Sequence, residues 1–297
     1  MAHKKIPKLI VRKNSFSRFL QKNYGYTDVR QFTTPQKFSS RLNSIFLAKD
    51  ASGNDIFIKA CRYGDMSENE YRSALALWEQ APRHFARPLA YYAGKHYSFC
   101  SSECVPGDDL YTIMQRGDAL SGEQRAQIVE DLYEIFQALK RADIVHRDVA
   151  LKNMLYHNGR IILVDCQLAT PRLATQSISF FDNILKVCLW RWEWQPDMSV
   201  LEWSDVGSLL YALKVIGTDA EHRKRFDQIR AELESNLSTF KYVYPYPSVQ
   251  EIDQCMKVCK LRSLFHYKAK LRSRYRHVYE MIDFFKQHHP DVRKIDG

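Results

Sequence analysis

The sequence predicts an α+β protein with two lobes, a small β-rich lobe followed by a larger helical lobe. Short apolar runs rich in β-forming residues are concentrated in the first third of the chain, whereas helical periodicity with capping signals dominates the remainder. Residues 105–109, VPGDD, separate the two parts because Pro and Gly interrupt strands and helices. We therefore expect an N-lobe over residues 31–104 and a C-lobe over residues 105–297 with a basic helical C-terminal part, preceded by a basic N-terminal extension over residues 1–30.

The predicted small lobe contains two β-hairpins. Its four apolar runs are residues 44–49, 55–61, 88–93 and 96–104. The sequence DASGN joins the first pair, and Gly94 with Lys95 lies between the second pair. Because Gly, Asn and Asp favour tight turns, each pair is expected to form an antiparallel hairpin.

Helices are expected between the two hairpins and after the linker. Ser67 precedes Glu70 at the spacing of a capping box, and apolar residues then recur at helical intervals up to Pro82. Ser121 and Gln124 form a second capping box. The apolar stripe that follows it comprises Ile128, Leu132, Ile135, Phe136 and Leu139. This second helix should therefore be buried along one face.

Composition favours a folded protein that stays in the cytoplasm. With 297 residues and 45% hydrophobic content, the chain can bury a sizeable core. It contains no uncharged apolar run of about 18 residues, and its first residues, MAHKKIPKLIVRKNSF, lack the apolar stretch of a secretory signal. The 7 cysteines are odd in number and irregularly spaced, which indicates reduced thiols.

The net charge of +10 is unevenly distributed. Residues 1–27 contain seven Lys or Arg and no acid, and residues 254–279 contain eight and no acid. Basic segments on a mildly acidic body suggest an anionic partner such as a membrane surface, an acidic glycolipid or nucleic acid. The alternative is that these segments are solvated faces that only keep the protein soluble.

The segment IVHRDVALKNMLYHNGRIILVDCQLA contains the residues suited to phosphoryl transfer. Asn153 follows Asp148 by five residues, and Asp165 ends an apolar run twelve residues later, after two expected short strands at residues 153–156 and 161–165. Amide and carboxylate oxygens such as those of Asn153 and Asp165 are suitable magnesium ligands. A carboxylate on a loop, such as Asp148, can orient an acceptor hydroxyl and take its proton.

These residues resemble those of the protein-kinase superfamily. HRDVALKN matches the catalytic-loop pattern H-R-D-x-x-x-x-N, and Asp165 occupies the position of the D-F-G aspartate. The resemblance implies a protein-kinase-like fold that uses ATP and Mg²⁺, with Asp148 as catalytic base and with Asn153 and Asp165 as metal ligands. It also implies that His146 is a packed architectural residue rather than a proton carrier.

The small lobe has matching features. The sequence IFIKA resembles the V-A-I-K strand, which implies that Lys59 reaches the α- and β-phosphates of ATP. Glu70, eleven residues later, is its expected partner, with Glu79 as the alternative. The segment that begins at Glu103 occupies the hinge position, where backbone groups would hydrogen-bond adenine.

Two features depart from the kinase pattern. The loop before the first hairpin, TPQKFSSRLN, contains no glycine, so Ser39 and Ser40 are expected to contact phosphate through their side chains, as are Lys37 or Arg41. The sequence DCQ replaces D-F-G, which keeps the metal-binding aspartate and removes the phenylalanine.

The absence of an A-P-E sequence after Asp165 argues against a peptide-docking segment. Over residues 40–215 the chain is similar to bacterial lipopolysaccharide core kinases, a similarity that includes HYSFCSSECVPGDDL and FFDNILKVCLW. This resemblance implies a sugar hydroxyl of the inner core, on heptose or Kdo, as acceptor. It also implies an anionic glycolipid partner and peripheral contact with the inner face of the inner membrane.

Two alternatives remain open from the sequence. An atypical kinase of the RIO or Bud32 type, acting on a protein or an RNA-bound assembly, also fits DCQ and the basic segments, although nucleic acid is the less favoured partner. A pseudokinase that serves as a binding module would fit the glycine-free loop. It would not need Lys59, Asp148, Asn153 and Asp165 together.

Overall fold

The computed structural model describes residues 13–32, 43–61, 64–94, 98–117, 120–173 and 201–244. All elements below except one strand pair belong to a compact unit formed by Met1–Arg172 and Ser204–Lys241. This unit combines a five-stranded sheet with a helical part, which confirms the predicted α+β class. The domain boundaries stay a prediction.

The five strands form an antiparallel sheet in the order β1-β2-β3-β5-β4. They are β1 (Thr27–Phe32), β2 (Asn43–Lys49), β3 (Asp55–Cys61), β4 (Pro88–Ala93) and β5 (Ser98–Glu103). Both predicted hairpins are confirmed, since β2 pairs with β3 and β4 pairs with β5 in antiparallel register. The turn between β2 and β3 is closed by Asp50, whose carboxylate accepts hydrogen bonds from the backbone N–H groups of Ser52 and Asn54.

Helix α1 (Lys13–Tyr24) packs on one face of this sheet. Its Phe16 and Leu20 are fully buried and belong to a core cluster with Ile56, Ile58 and other sheet residues. Side chains alternate between the faces of a strand, so Lys59 projects from the opposite face of β3. Residues 13–30, which the sequence analysis set apart as an extension, thus contribute to the core of the small lobe.

Helix α2 (Gly64–Gln80) begins three residues before Ser67, so the predicted capping box at Ser67 is wrong. Both residues of that pattern have tertiary partners instead. The Ser67 hydroxyl is buried and donates to Ser98 Oγ at 3.1 Å, and Glu70 pairs with Lys59. The spacing was therefore correct for a capping box, but contacts with the sheet occupy both side chains.

The loop after α2 attaches the sheet to the helical part. His84 is fully buried, and its Nδ1–H donates to the carbonyl of Ile161 at 2.9 Å. The backbone N–H of Leu163 donates to the carbonyl of His84 at 2.8 Å. Asp131 accepts a hydrogen bond from the N–H of Ile161 at 2.7 Å. Burial raises the pKa of this carboxyl group above its ordinary value, although its hydrogen bonds oppose the shift.

The helical part begins with a two-residue strand that lies within the predicted linker. Its elements are β6 (Asp108–Asp109), α3 (Leu110–Arg116), α4 (Gly122–Ala142), β7 (Ile144–Val145), β8 (Met154–His157), β9 (Arg160–Leu163), β10 (Thr170–Pro171), α5 (Asp205–Ile216) and α6 (Arg223–Asn236). The capping box of Ser121 and Gln124 at the start of α4 is confirmed. All five residues of the predicted apolar stripe are buried.

The predicted hairpin near the catalytic segment is also confirmed, with β8 and β9 antiparallel. Asn158 and Gly159 at its turn both have positive φ, which these two residue types adopt readily. Strand β9 ends at Leu163, so Asp165 lies beyond the strand rather than at its last residue. In the second unit, β11 (Leu201–Trp203) pairs antiparallel with β12 (Tyr242–Tyr244).

Among the residues that the structure describes, no helix combines the length and apolarity needed to cross a bilayer.

Candidate active site

Lys59 lies at the centre of an ionic cluster that joins three separate elements. Its Nζ is 3.2 Å from Glu70 Oε1 on α2 and 2.5 Å from Asp165 Oδ1 after β9. The lysine is 8% exposed, so these ion pairs are shielded from solvent on the lysine side. Of the two candidates, Glu70 and not Glu79 is the partner seen in the structure.

The charge state of this cluster follows from its geometry. Burial by itself lowers the pKa of Lys59, but the carboxylates of Asp165 and Glu70 outweigh that effect and raise the pKa above its ordinary value. Lys59 is therefore a permanent ammonium at physiological pH. Such a group, on the sheet face opposite the α1 core, is suited to bind anionic oxygens.

The loop between β7 and β8 brings Asp148 and Asn153 together. Asp148 is 4% exposed and Asn153 is 7% exposed. The Asn153 Nδ2–H donates to the backbone carbonyl of Asp148 at 2.8 Å, which leaves Oδ1 as the acceptor atom of the amide. The backbone carbonyl of Asn153 accepts from the N–H of Val164 at 2.9 Å, so the loop is tied to the strand end that precedes Asp165.

His146 is fully buried beside this loop, as expected of a packed histidine. Its Nδ1 accepts a hydrogen bond from the N–H of Asp148 at 3.3 Å. Arg147 and Asp165 both have left-handed backbone conformations, with φ of 64° and 69°. Aspartate adopts positive φ more readily than most residues, whereas arginine rarely does, so the strain lies at Arg147.

Asp205, at the first position of α5, holds the loop between β7 and β8 in place. It is fully buried, and its carboxylate accepts hydrogen bonds from the backbone N–H groups of His146 at 2.5 Å and Arg147 at 2.9 Å. The sequence analysis missed this residue. In the sequence, Ser204 and Asp205 before an apolar run look like an ordinary helix start. No neighbouring residue in the sequence indicates that Asp205 binds a group 58 residues away.

The hinge position is fixed by contacts of Glu103. Its N–H donates to the carbonyl of Arg87, and its carboxylate accepts from the N–H of Arg87, each at 3.0 Å. The next N–H, of Cys104, donates to the carbonyl of Asp55 at 3.0 Å. These hydrogen bonds join the end of β5 to β3 and to the residue before β4, and contact of Glu103 with a nucleotide stays a prediction. Ser39 and Ser40 lie outside the described residues, as do residues 1–12 of the first basic segment and all of the second, residues 254–279.

The donor set fits a magnesium nucleotide. Among the described residues there is no group of three or more His, Cys, Asp or Glu side chains arranged as a metal cage. Magnesium at phosphoryl-transfer sites needs no such cage, because one or two protein oxygens, water and substrate phosphates complete its shell. Asn153 Oδ1 and the Asp165 carboxylate supply such oxygens.

Comparison with known proteins agrees with this geometry. No protein-family model matches the chain. MAP kinase-activated protein kinase 2 of Homo sapiens is 35% identical over 71 residues, covering 23% of this chain and 18% of that protein. Serine/threonine-protein kinase 1 of Lymantria dispar multicapsid nuclear polyhedrosis virus is 27% identical over 124 residues, covering 42% and 43%. Meiosis-specific serine/threonine-protein kinase MEK1 of Saccharomyces cerevisiae is 30% identical over 89 residues, covering 25% and 18%.

The chain thus spans less than half the length of these relatives. The fold, the site and these similarities together support a protein-kinase-like superfamily for this chain.

Proposed function

We propose that this protein is a kinase that transfers a phosphoryl group from ATP to an alcohol, with Mg²⁺ as cofactor. The observation that carries the proposal is the ionic cluster of Lys59 with Glu70 and Asp165, beside a loop that presents Asp148 and Asn153. These groups come from two stretches of the chain, residues 59–70 and 148–165, that are far apart in sequence. A purely structural role would not require that set of charges.

Each residue has a role that follows from its chemistry. Lys59 binds phosphate oxygens, and Glu70 keeps its ammonium in position. Bound Mg²⁺ would neutralise charge on the phosphates, and Asn153 Oδ1 with the Asp165 carboxylate would hold it. Asp148 orients the acceptor hydroxyl and accepts its proton as the phosphoryl group is transferred.

Substitution of the catalytic base tests this reaction. Asp148→Asn keeps the shape of the side chain but removes its basicity, so the turnover number should fall by about 10² to 10⁴-fold with binding of ATP retained. Asp227→Asn is the matched control, because Asp227 lies on the exposed surface of α6 and pairs with its helix neighbour Arg230. Equal turnover in the two variants would refute the proposed role of Asp148.

The proposed acceptor is a sugar hydroxyl of the lipopolysaccharide inner core. The support for this finer assignment is the sequence similarity over residues 40–215 and the two basic segments, which suit a polyanionic glycolipid at the inner face of the inner membrane. A protein acceptor is the second candidate. It is favoured by the names of the relatives, which are serine/threonine-protein kinases.

The two acceptors can be separated with the full chain. Purified protein and labelled ATP are incubated with core lipopolysaccharide and, in parallel, with a protein acceptor panel and RNA-bound assemblies. Label in the glycolipid, together with loss of a core phosphate in cells that lack the gene, supports the first assignment. Label in protein alone replaces it with the second, and tight ATP binding with no transfer to any acceptor indicates a pseudokinase.

A further inference from the structure

Asn69 connects helix α2 to the segment that follows Asp165. Its Nδ2 donates two hydrogen bonds, to the carbonyl of Gln167 at 3.2 Å and to the carbonyl of Ala169 at 2.8 Å. These partners are 98 and 100 residues away in sequence. Both donors of one side-chain amide are therefore used to clamp a short stretch of backbone.

The clamp closes a ring of contacts around the ionic cluster. Asn69 precedes Glu70 on the same helix, so a helix held at Asn69 is also held at Glu70. Glu70 contacts Lys59, Lys59 contacts Asp165, and Asp165 is two residues before Gln167. A shift of α2 away from the site would have to break the two Asn69 hydrogen bonds as well as the Glu70 ion pair.

The clamped segment is anchored on its far side too. Strand β10 pairs with β7 directly before the catalytic loop. Arg172 Nε is 2.6 Å from Asp143 Oδ1, and the N–H of Arg172 donates to the carbonyl of Asp143 at 2.8 Å. Cys166, directly before the clamped Gln167, is buried at 3% exposure. The segment is thus fixed to the catalytic loop at one end and to α2 at the other.

We propose that Asn69 is a positioning residue that holds Glu70 on Lys59 and, through the same hydrogen bonds, keeps Asp165 in place. It touches neither phosphate nor metal and acts only through these neighbours. The role of Asn69 in holding Glu70 and Asp165 in position is inferred from geometry alone. Its consequence for nucleotide binding rests on the proposed function.

Cys166 provides a test that needs no nucleotide. Asn69→Leu removes both donors and keeps the branched shape of the side chain, so the segment should open more often and expose the buried thiol. Two hydrogen bonds at about 1 kcal/mol each correspond to a roughly 30-fold rise in the open population, and alkylation of Cys166 by iodoacetamide should accelerate by about 5- to 30-fold. Peptide mass spectrometry identifies the labelled cysteine.

Two further variants separate positioning from a general loss of stability. Arg72→Ala is the matched control, because Arg72 is 70% exposed on the same helix and pairs with Glu68. It should label like the wild type. Asn69→Gln keeps the amide and should label at an intermediate rate. The proposed role of Asn69 is overturned if Cys166 is labelled at the same rate in Asn69→Leu, Asn69→Gln and Arg72→Ala, or if it stays protected in all three variants.

The nucleotide readout completes the test. For a positioning residue, Asn69→Leu should raise the Kd and the KM for ATP by about 5- to 30-fold at saturating Mg²⁺. A merely structural defect would lower the active fraction with Kd and KM unchanged, and that result would overturn the inference. Wild-type protein that binds no ATP would overturn the proposed function instead, while the labelling result would still decide the clamp.

Discussion

Replacement of Asp205 by asparagine should both destabilise the protein and disable the catalytic loop. The buried carboxylate accepts hydrogen bonds from two successive backbone N–H groups, those of His146 and Arg147. Hydrogen bonds to a charged group contribute about 1.5–3 kcal/mol each. An asparagine side chain keeps one acceptor oxygen but turns its NH₂ group toward the second N–H. The free energy of unfolding should therefore fall by about 1.5–3 kcal/mol.

The effect on turnover should be larger than the loss of stability. Because the same loop carries Asp148, a shift of about 1 Å in its backbone can lower the rate by about 10²-fold. Urea unfolding followed by tryptophan fluorescence measures the stability change, and turnover is measured in the absence of urea at a temperature where the variant is folded. Asp227→Asn at the surface of α6 is the control for the same chemical change. If Asp205→Asn matches that control in both measurements, the buried carboxylate does not hold the loop and the reasoning is refuted.

Three further predictions concern the fold, each measured by urea unfolding. Gly107→Ala should lower the free energy of unfolding by about 2–6 kcal/mol, because φ is +134° and the added Cβ would lie 2.4 Å from a backbone carbonyl oxygen. Gly53→Ala, with φ of +82° and open space around it, should lower the free energy of unfolding by about 1–2 kcal/mol. Equal losses of stability in Gly107→Ala and Gly53→Ala would contradict the steric argument. Phe16→Ala should cost about 3–5 kcal/mol if α1 belongs to the core, whereas Phe32→Ala, at 46% exposure, should change stability by about 0.5 kcal/mol or less. Ser121→Ala should cost about 1 kcal/mol through loss of the α4 capping box, and no change would show that the box is unimportant.

The elements predicted correctly are those specified by neighbours in sequence. The hairpin of β2 and β3 follows from the DASGN turn, whose Asp50 bonds to groups two and four residues away. The α4 capping box joins residues three apart. Interactions of such short range need no distant partner, so the local pattern predicts them wherever no tertiary contact competes for the same side chains.

The start of α2 shows how the same kind of pattern misleads. Ser67 and Glu70 have capping-box spacing, yet the helix begins at Gly64, and these two side chains bind Ser98 and Lys59 instead. A serine or a glutamate can satisfy either kind of partner, and the choice depends on whether the sheet comes within reach. That information is absent from a window of a few residues.

Turn chemistry, periodicity and residue spacing are properties of the chain, and they sufficed to predict the three hairpins, helix α4, the α+β class and the candidates Lys59, Glu70, Asp148, Asn153 and Asp165. The packing of α1 into the core, the support of the loop between β7 and β8 by Asp205 and the contact of Asn69 with the segment after Asp165 were visible only in the folded protein. These contacts join residues from about 30 to 100 positions apart. Such contacts form only when the whole fold brings the partners together, because the entropy cost of closing long loops must be offset by the packing of the entire core.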